Sequence, residues 1–256
     1  MDIKWYGTAS ISMQSNEHKI IFDPFVPLLG SKIPIELNDF IDYEYIFITH
    51  GHFDHIGSLK KIYKKNKKVK IYCTETPYNF LNKKGIPLDN LIKVKPGDCI
   101  KIGDFKIKAF QSKHIDYDPD VIKKLILSLR SYKYIYNVPS IIYRHNISKE
   151  NGEILMYEVE VENKRIAIMG SLNYDSNVNY PSDYDLFIMP YQGKRDLITS
   201  ALEVVSILKP KKIILSHFDN SFPPVSKDIN TLDIEEELKD RIPLIKPIYK
   251  KKYELW

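Results

Sequence analysis

Three of the chain's seven histidines fall within six residues, His50-Gly51-His52-Phe53-Asp54-His55. Side chains two positions apart leave an extended backbone on the same face, so His50 and His52 can converge on one ion. Asp54 and His55 follow where the chain turns and can reach a neighbouring position. Neutral imidazoles with a single carboxylate suit zinc, iron or manganese rather than calcium. In a shuffled chain of this composition such a string arises about three times in ten thousand, so chance is a poor explanation for it.

The elements around the cluster place it where sites are usually built. Tyr45-Ile46-Phe47-Ile48 is a continuous apolar run that suits a strand buried on both faces. Thr49 and His50 stand at its carboxyl end, the end at which α/β proteins carry their functional loops. A helix is expected from Ser58 to Lys65, with Leu59 and Ile62 three apart. Before the cluster come strands over Ile3–Tyr6, Ile11–Gln14 and Lys19–Phe22. After it come strands over Lys70–Cys73, Leu91–Val94, Cys99–Ile102 and Phe105–Gln111. A helix over Thr76–Lys83 has Thr76 as its cap, Pro77 in its first turn and Gly85 as its stop. Helical spacing recurs over Pro119–Tyr132. Strands are then expected at Ser140–Tyr143, Ile154–Val161 and Arg165–Met169, with Asn163-Lys164 as a tight turn, and at Leu186–Met189 and Ile213–Leu215. Helices are expected at Leu197–Leu208, closed by Pro210, and at Ile234–Arg241. No linker or composition break divides the chain, which reads as one α/β domain over 1–256.

Composition narrows the class. Hydrophobic residues make up 43% and charged residues 28% of 256, ordinary for a folded soluble protein with a substantial core. No run approaches the roughly 18 apolar residues of a spanning helix, and Met1-Asp2-Ile3-Lys4-Trp5 does not open like a secretory signal. Two cysteines, Cys73 and Cys99, form no CxxC pair, so a reducing cytoplasm is the expected compartment. The net charge of +5 fits an anionic small-molecule substrate but is too weak to argue for nucleic acid. Nothing points to a membrane. The tyrosines near Tyr132–Tyr136 and the apolar end Leu255-Trp256 are candidates for a homo-oligomer interface.

His50, His52, Asp54 and His55 resemble the signature of the metallo-β-lactamase superfamily. The likeness runs through Ile20-Ile21-Phe22-Asp23-Pro24, Phe110-Gln111-Ser112-Lys113-His114 and Leu215-Ser216-His217. Trp5-Tyr6-Gly7-Thr8-Ala9-Ser10 and Met189-Pro190-Tyr191-Gln192-Gly193 are similar to the branch that contains L-ascorbate-6-phosphate lactonase and related metal-dependent hydrolases. The resemblance implies a four-layer αββα sandwich of two mixed sheets with outer helices and metals at one edge. It implies a first ion on His50, His52 and His114, and a second on Asp54, His55 and His217. Asp23 would brace the ligand loop. The ion would be zinc, one or two equivalents, with manganese or iron as alternatives. His18, in a turn, and His145, at a strand end, match nothing and are expected to be solvated.

One position departs from the family pattern. A bridging aspartate is expected after the glycine at the end of the Arg165–Met169 strand, and this chain reads Gly170-Ser171. A hydroxyl is a poor substitute for a carboxylate between two cations. The second ion is therefore expected to bind more weakly, to be absent, or to recruit Asn173 or Asp175 from the same loop. The expected activity is that of a metal-dependent hydrolase. A histidine-bound ion lowers the pKa of its water from about 15.7 toward 7. Asp54, as the catalytic residue, orients the hydroxide and takes its proton. An ester, lactone or phosphoester of an anionic small molecule is the expected substrate. The alternatives are a nuclease or phosphodiesterase of the same superfamily, and a degenerate metal-binding protein with little catalysis. The segment 115–139 is expected to be a lid or insertion, carrying Lys123, Lys124, Arg130 and Lys133 with Tyr132, Tyr134 and Tyr136. Lys194 and Arg195 could contact an anion in the same way, or simply start a helix.

Overall fold

Strands and helices alternate along the chain as short apolar runs broken by Gly, Pro, Asn and Asp turns. The structure, a computed structural model, describes residues 1–115, 132–139, 141, 153–194 and 196–254. The expected helix at 119–132, the strand at 140–143, most of the 115–139 segment, His145, Arg195 and Leu255-Trp256 lie wholly or mainly outside the described residues.

The first half builds one sheet. Strands β1 (Asp2–Trp5), β2 (Ile11–Ser15) and β3 (His18–Phe22) form an antiparallel meander. Strands β4 (Tyr45–Phe47), β5 (Lys70–Cys73) and β6 (Leu91–Lys93) then add in parallel. The second half repeats the scheme with β7 (Cys99–Ile102), β8 (Phe105–Ser112), β9 (Ile154–Val161) and β10 (Lys164–Met169) antiparallel. Strands β11 (Leu186–Pro190), β12 (Ile213–Ser216) and β13 (Leu244–Ile245) continue it in parallel. The last strand, β14 (Lys252–Glu254), returns to pair with β1. Each sheet therefore has seven strands and is mixed.

Two short helices, α1 (Phe53–Ile56) and α2 (Leu59–Lys65), and a longer one, α3 (Glu75–Lys83), connect the first sheet. Leu59, Ile62 and Leu81 cover its outer face against Ile46, Ile48 and Ile71. Helices α4 (Leu197–Leu208) and α5 (Leu232–Leu238) cover the second sheet through Val204, Leu208, Ile234 and Leu238. Between the sheets, Ile3, Trp5 and Phe22 of the first meet Ile107, Tyr157 and Ile166 of the second in one buried cluster. This is the expected αββα sandwich. The alternating exposure of β8 matches its Lys-alternating sequence, and β11 and β12 are buried throughout, as their unbroken apolar runs require. None of the helices is long and apolar enough to cross a membrane, among the described residues.

Several local expectations shift. Thr74, not Thr76, is the N-cap of α3; the Thr76 amide donates to the Glu153 carboxylate at 2.8 Å. The β9–β10 turn is Glu162-Asn163, both with positive φ (51° and 58°), one residue earlier than expected. Such a pair matches the right-handed twist of a tight hairpin. Strands β13 and β14 follow weakly patterned sequence and were not expected. His18 begins β3 instead of standing free in a turn, and its Nδ1 is buried without a hydrogen-bond partner.

Strand direction decides where function can sit. In the first sheet β1, β3 and β4 point the same way, and so do β8, β10, β11 and β12 in the second. Their carboxyl ends release Thr8, Asp23, His50, His114, Ser171, Gln192 and His217 into loops.

Candidate metal centre

His50 lies three residues beyond β4, and His52 is the N-cap of the one-turn helix α1, with extended backbone (φ −65°, ψ 152°). Asp54 and His55 belong to that turn and are buried. His114 follows β8 and His217 follows β12. Six side chains thus converge from three distant segments. They form two groups, His50/His52/His114 and Asp54/His55/His217, each offering three ligand atoms within 4.8 Å of one another. Ring centroids are 5.1 Å apart for His50–His114 and 4.4 Å for His52–His114. The groups are adjacent, with His50 and His55 rings 3.8 Å apart.

The surrounding acceptors fix how each ring is turned. The Thr49 hydroxyl donates to Asp23 Oδ2 at 2.6 Å, so it must accept from His50 Nδ1 at 3.0 Å. His55 Nδ1 faces the same Asp23 Oδ2 at 2.9 Å. His114 Nδ1 donates to the Ile115 carbonyl at 2.8 Å, and His217 Nδ1 donates to Gln192 Oε1 at 2.7 Å. With Nδ1 engaged in each of these four rings, the Nε2 edge is the one turned to the centre of the cluster, as when an outer carboxylate or carbonyl orients a metal-binding imidazole. His217 Nε2 and His55 Nε2 stand 3.1 Å and 3.5 Å from Asp54 Oδ2. Two ring nitrogens facing one carboxylate oxygen call for positive charge between them, from a proton or a cation.

Asp23 also accepts the Thr49 amide at 2.8 Å, so one buried carboxylate holds the loop that carries His50 and His55. It has φ 45°. Close approach from the second sheet depends on Gly170: a Cβ there would lie 1.9 Å from the Thr49 hydroxyl and 3.1 Å from His50 Nδ1.

Burial, reinforced by the neighbouring imidazoles, holds His50 well below the ordinary histidine value. Burial likewise pushes His114 down to about 4, against the opposing bond to Ile115. Both rings are therefore held in the neutral form, the form in which an imidazole can bind a metal. For Asp54 burial works against ionisation, but His55 and the contact with His217 overcome it and hold the carboxyl well below the usual range.

The loop after β10 packs against the segment that carries His114. Ser171 Oγ accepts the Ile115 amide at 3.0 Å. Asn173 donates to the His114 carbonyl at 2.7 Å. Asp175 pairs with Lys113 at 3.1 Å and accepts from Asn177. These residues support the segment that carries His114. Asp175 does not stand among the grouped His and Asp ligand atoms of the described residues. A hydrophobic wall of Phe25, Phe53 and Phe222 flanks the Asp54 group, with the Phe222 ring 6.2 Å from His217.

Sequence reasoning quoted Gln192 only as part of a motif and did not weigh Asp219 or Ser221. Gln192 is silent in sequence because its partner lies 25 residues away. Its place directly after an apolar strand end was the available signal.

The chain belongs to the metallo-beta-lactamase superfamily, whose family model matches residues 4–131. A UPF0173 metal-dependent hydrolase of Ligilactobacillus salivarius (strain UCC118) is 26% identical over 262 residues, covering 96% of this chain and 99% of that protein. Another UPF0173 metal-dependent hydrolase, from Pyrobaculum islandicum, is 25% identical over 96% of this chain and 93% of its own length. Among solved structures, the metallo hydrolase Igni18 of Ignicoccus hospitalis shares the fold with a TM-score of 0.64 at 16% identity, covering 99% of this chain and 98% of that one.

Proposed function

We propose that this protein is a metal-dependent hydrolase that binds zinc through His50, His52 and His114 on one side and Asp54, His55 and His217 on the other. The observation that carries the reading is the confrontation of His217 Nε2 and His55 Nε2 with Asp54 Oδ2, at 3.1 and 3.5 Å. The opposite nitrogens are committed to Gln192 and Asp23, so the facing atoms are arranged for a cation. A nitrogen-rich set with one carboxylate favours zinc, with manganese or iron as the other candidates. The names of the two UPF0173 relatives agree with the hydrolase reading. A divalent ion in this setting supplies water of lowered pKa and polarises a carbonyl or phosphoryl oxygen.

The chain's own residues do the rest. Asp54 stays ionised, and its carboxylate is the group placed to orient the attacking water and take its proton. Asp23 and Thr49 hold His50 and His55 in the ligating tautomer. Phe25, Phe53 and Phe222 keep bulk water from one side of the site. The substrate in this reading is an ester, lactone or phosphoester of a small molecule, and the net charge of +5 fits an anionic one. Because Ser171 Oγ is committed to the Ile115 amide, no carboxylate from that position is shared between the two groups, and the two ions differ in affinity.

Metal analysis of the purified protein tests the first half, and a screen of lactones, phosphodiesters and β-lactams tests the second. Bound divalent metal with turnover of one of these classes is expected. Absence of metal after growth and dialysis in zinc would overturn the metal centre. Metal without turnover on any class would favour a binding protein with little catalysis.

A further inference from the structure

The ring of His217 is aimed by Gln192, but its backbone is held from elsewhere. His217 has φ 57°, in the left-handed region where non-glycine residues rarely stay unless the surroundings hold them. Its amide donates to the Thr8 carbonyl at 2.7 Å, and the Trp5 indole donates to the same oxygen at 2.9 Å. Thr8 is itself at φ 48°, an unusual conformation for a β-branched residue.

Thr8 is fixed in turn by a buried polar knot. Its amide donates to both carboxylate oxygens of Asp219, at 3.1 and 3.0 Å. Its hydroxyl donates to Ser221 Oγ at 2.6 Å, and Ser221 donates to Asp219 Oδ1 at 2.8 Å. Thr8, Asp219 and Ser221 are no more than 2% exposed. Gly7 makes the approach feasible, since a Cβ at its φ of +86° would stand 2.8 Å from Asp219 Oδ2. The knot joins the turn after β1 to the loop after β12, across 211 residues of sequence.

We infer that Thr8 and Asp219 are positioning residues for the Asp54/His55/His217 group. Thr8 presents its carbonyl to the His217 amide in a strained conformation that Asp219 and Ser221 maintain. Without the knot, Thr8 and His217 relax toward negative φ, and His217 Nε2 swings away from Asp54. The His50/His52/His114 group takes bracing from Thr49, Asp23 and Ile115, whereas Thr8 bonds to Trp5, His217, Asp219 and Ser221. The effect is therefore confined to one of the two groups. This inference rests on the metal-centre reading and adds to it which residues set the affinity of one ion.

The test is a Co²⁺ titration of the full chain, followed by absorption and calorimetry, with His217→Ala marking which equivalent belongs to the Asp54 group. In Thr8→Ala and Asp219→Asn, that equivalent is expected to weaken roughly tenfold to a hundredfold, the range for loss of an outer partner of a ligand. The other equivalent is expected to stay within about twofold, and Thr8→Ser, which keeps the hydroxyl and the carbonyl, to stay near the parent. Ser221→Ala removes one edge of the knot and is expected to give a smaller loss of the same equivalent; it serves as the readout if Asp219→Asn does not fold. Equal weakening of both equivalents, or no change in either, would overturn the inference while leaving the metal centre standing. A parent protein that binds no Co²⁺ would overturn the metal centre, and this inference with it.

Discussion

The two halves of the site are built differently. His50/His52/His114 is a group of three imidazoles whose rings are braced directly by near neighbours, Thr49 beside His50 and Ile115 beside His114, with Asp23 holding Thr49 from farther off. Asp54/His55/His217 contains the only carboxylate of the six. Its outer partners are remote: Asp23 for His55, Gln192 for the His217 ring, and Thr8 for the His217 backbone. Backbone strain gathers around the second group, with Thr8, Asp23 and His217 all at positive φ. Both groups draw ligands from both sheets, His114 and His217 from the second and the rest from the first. The second group also needs partners remote in sequence to aim His217, so it can lose one ligand without losing the fold.

The largest break in this comparison is Asp54→Asn, which makes the second group as uncharged as the first. Turnover is expected to fall by roughly 10²–10⁴, the usual contribution of a positioned general base. The fold should survive, because Asp54 lies on a one-turn helix whose apolar anchors, Phe53 and Ile56, are unchanged. Rate and metal content measured on the same sample decide it: near-parental turnover with metal retained would assign the proton-accepting role elsewhere.

Gln192→Leu acts on one group only. It removes the acceptor of His217 Nδ1 and frees the ring to rotate or change tautomer. The affinity of the Asp54 group is expected to drop by roughly 10–100-fold while that of the His50 group holds. Calorimetry on the two equivalents checks this, and a parallel loss in both would erase the distinction between them.

What was legible in sequence follows the same division. The string His50 to His55 is local, and the buried run Tyr45–Ile48 before it already said which end of which strand carries it. His114 and His217 were legible only through their resemblance to family motifs at strand ends. Asp219 and Ser221 were not legible, and Thr8 only as a letter in a motif, because a hydrogen bond across 211 residues leaves no local pattern. In the fold, long apolar runs such as β11 and α4 were placed within a residue or so. The short edge strands β13 and β14 were missed, because two or three residues carry no periodicity. The hairpin turn shifted by one residue, since Asn163-Lys164 and Glu162-Asn163 differ only in which pair takes left-handed φ.

The first group should also give the metal-free protein its pH dependence. His50 is held well below, and His114 down to about 4, while histidine in the unfolded chain titrates near 6.5. As pH falls from about 6.5 toward 4, the unfolded chain takes up protons that the folded rings refuse, so stability present above that window is lost across it. The slope is about 1.4 kcal/mol per pH unit for each ring fully held neutral. Asp54, with its carboxyl held low, adds a separate loss only below about pH 3.9. Melting temperatures of chelator-treated protein from pH 7.5 to 4.5 should show the fall, and His114→Gln should flatten it. A parental curve that is flat across the window would mean these rings charge freely in the folded state.

The smallest effect expected is at Ser171, and it asks whether the two groups interact at all. Divalent ions at the roughly 3.5–4 Å spacing of two-metal sites repel each other, and a carboxylate between them reduces that repulsion by an amount that depends on the local dielectric. Ser171 offers no charge, and its Oγ already accepts the Ile115 amide at 3.0 Å. Asp175, the nearest alternative along the loop, is neutralised by Lys113 and held by Asn177. Dialysis against a mild chelator should therefore remove one equivalent well before the other. Ser171→Asp should slow loss of that first equivalent. The gain is limited, because the new carboxylate must also satisfy the Ile115 amide, and the segment bearing His114 moves if it does not. Loss of both equivalents together, unchanged in Ser171→Asp, would show that the two groups bind their ions independently and that the missing charge has no bearing on either.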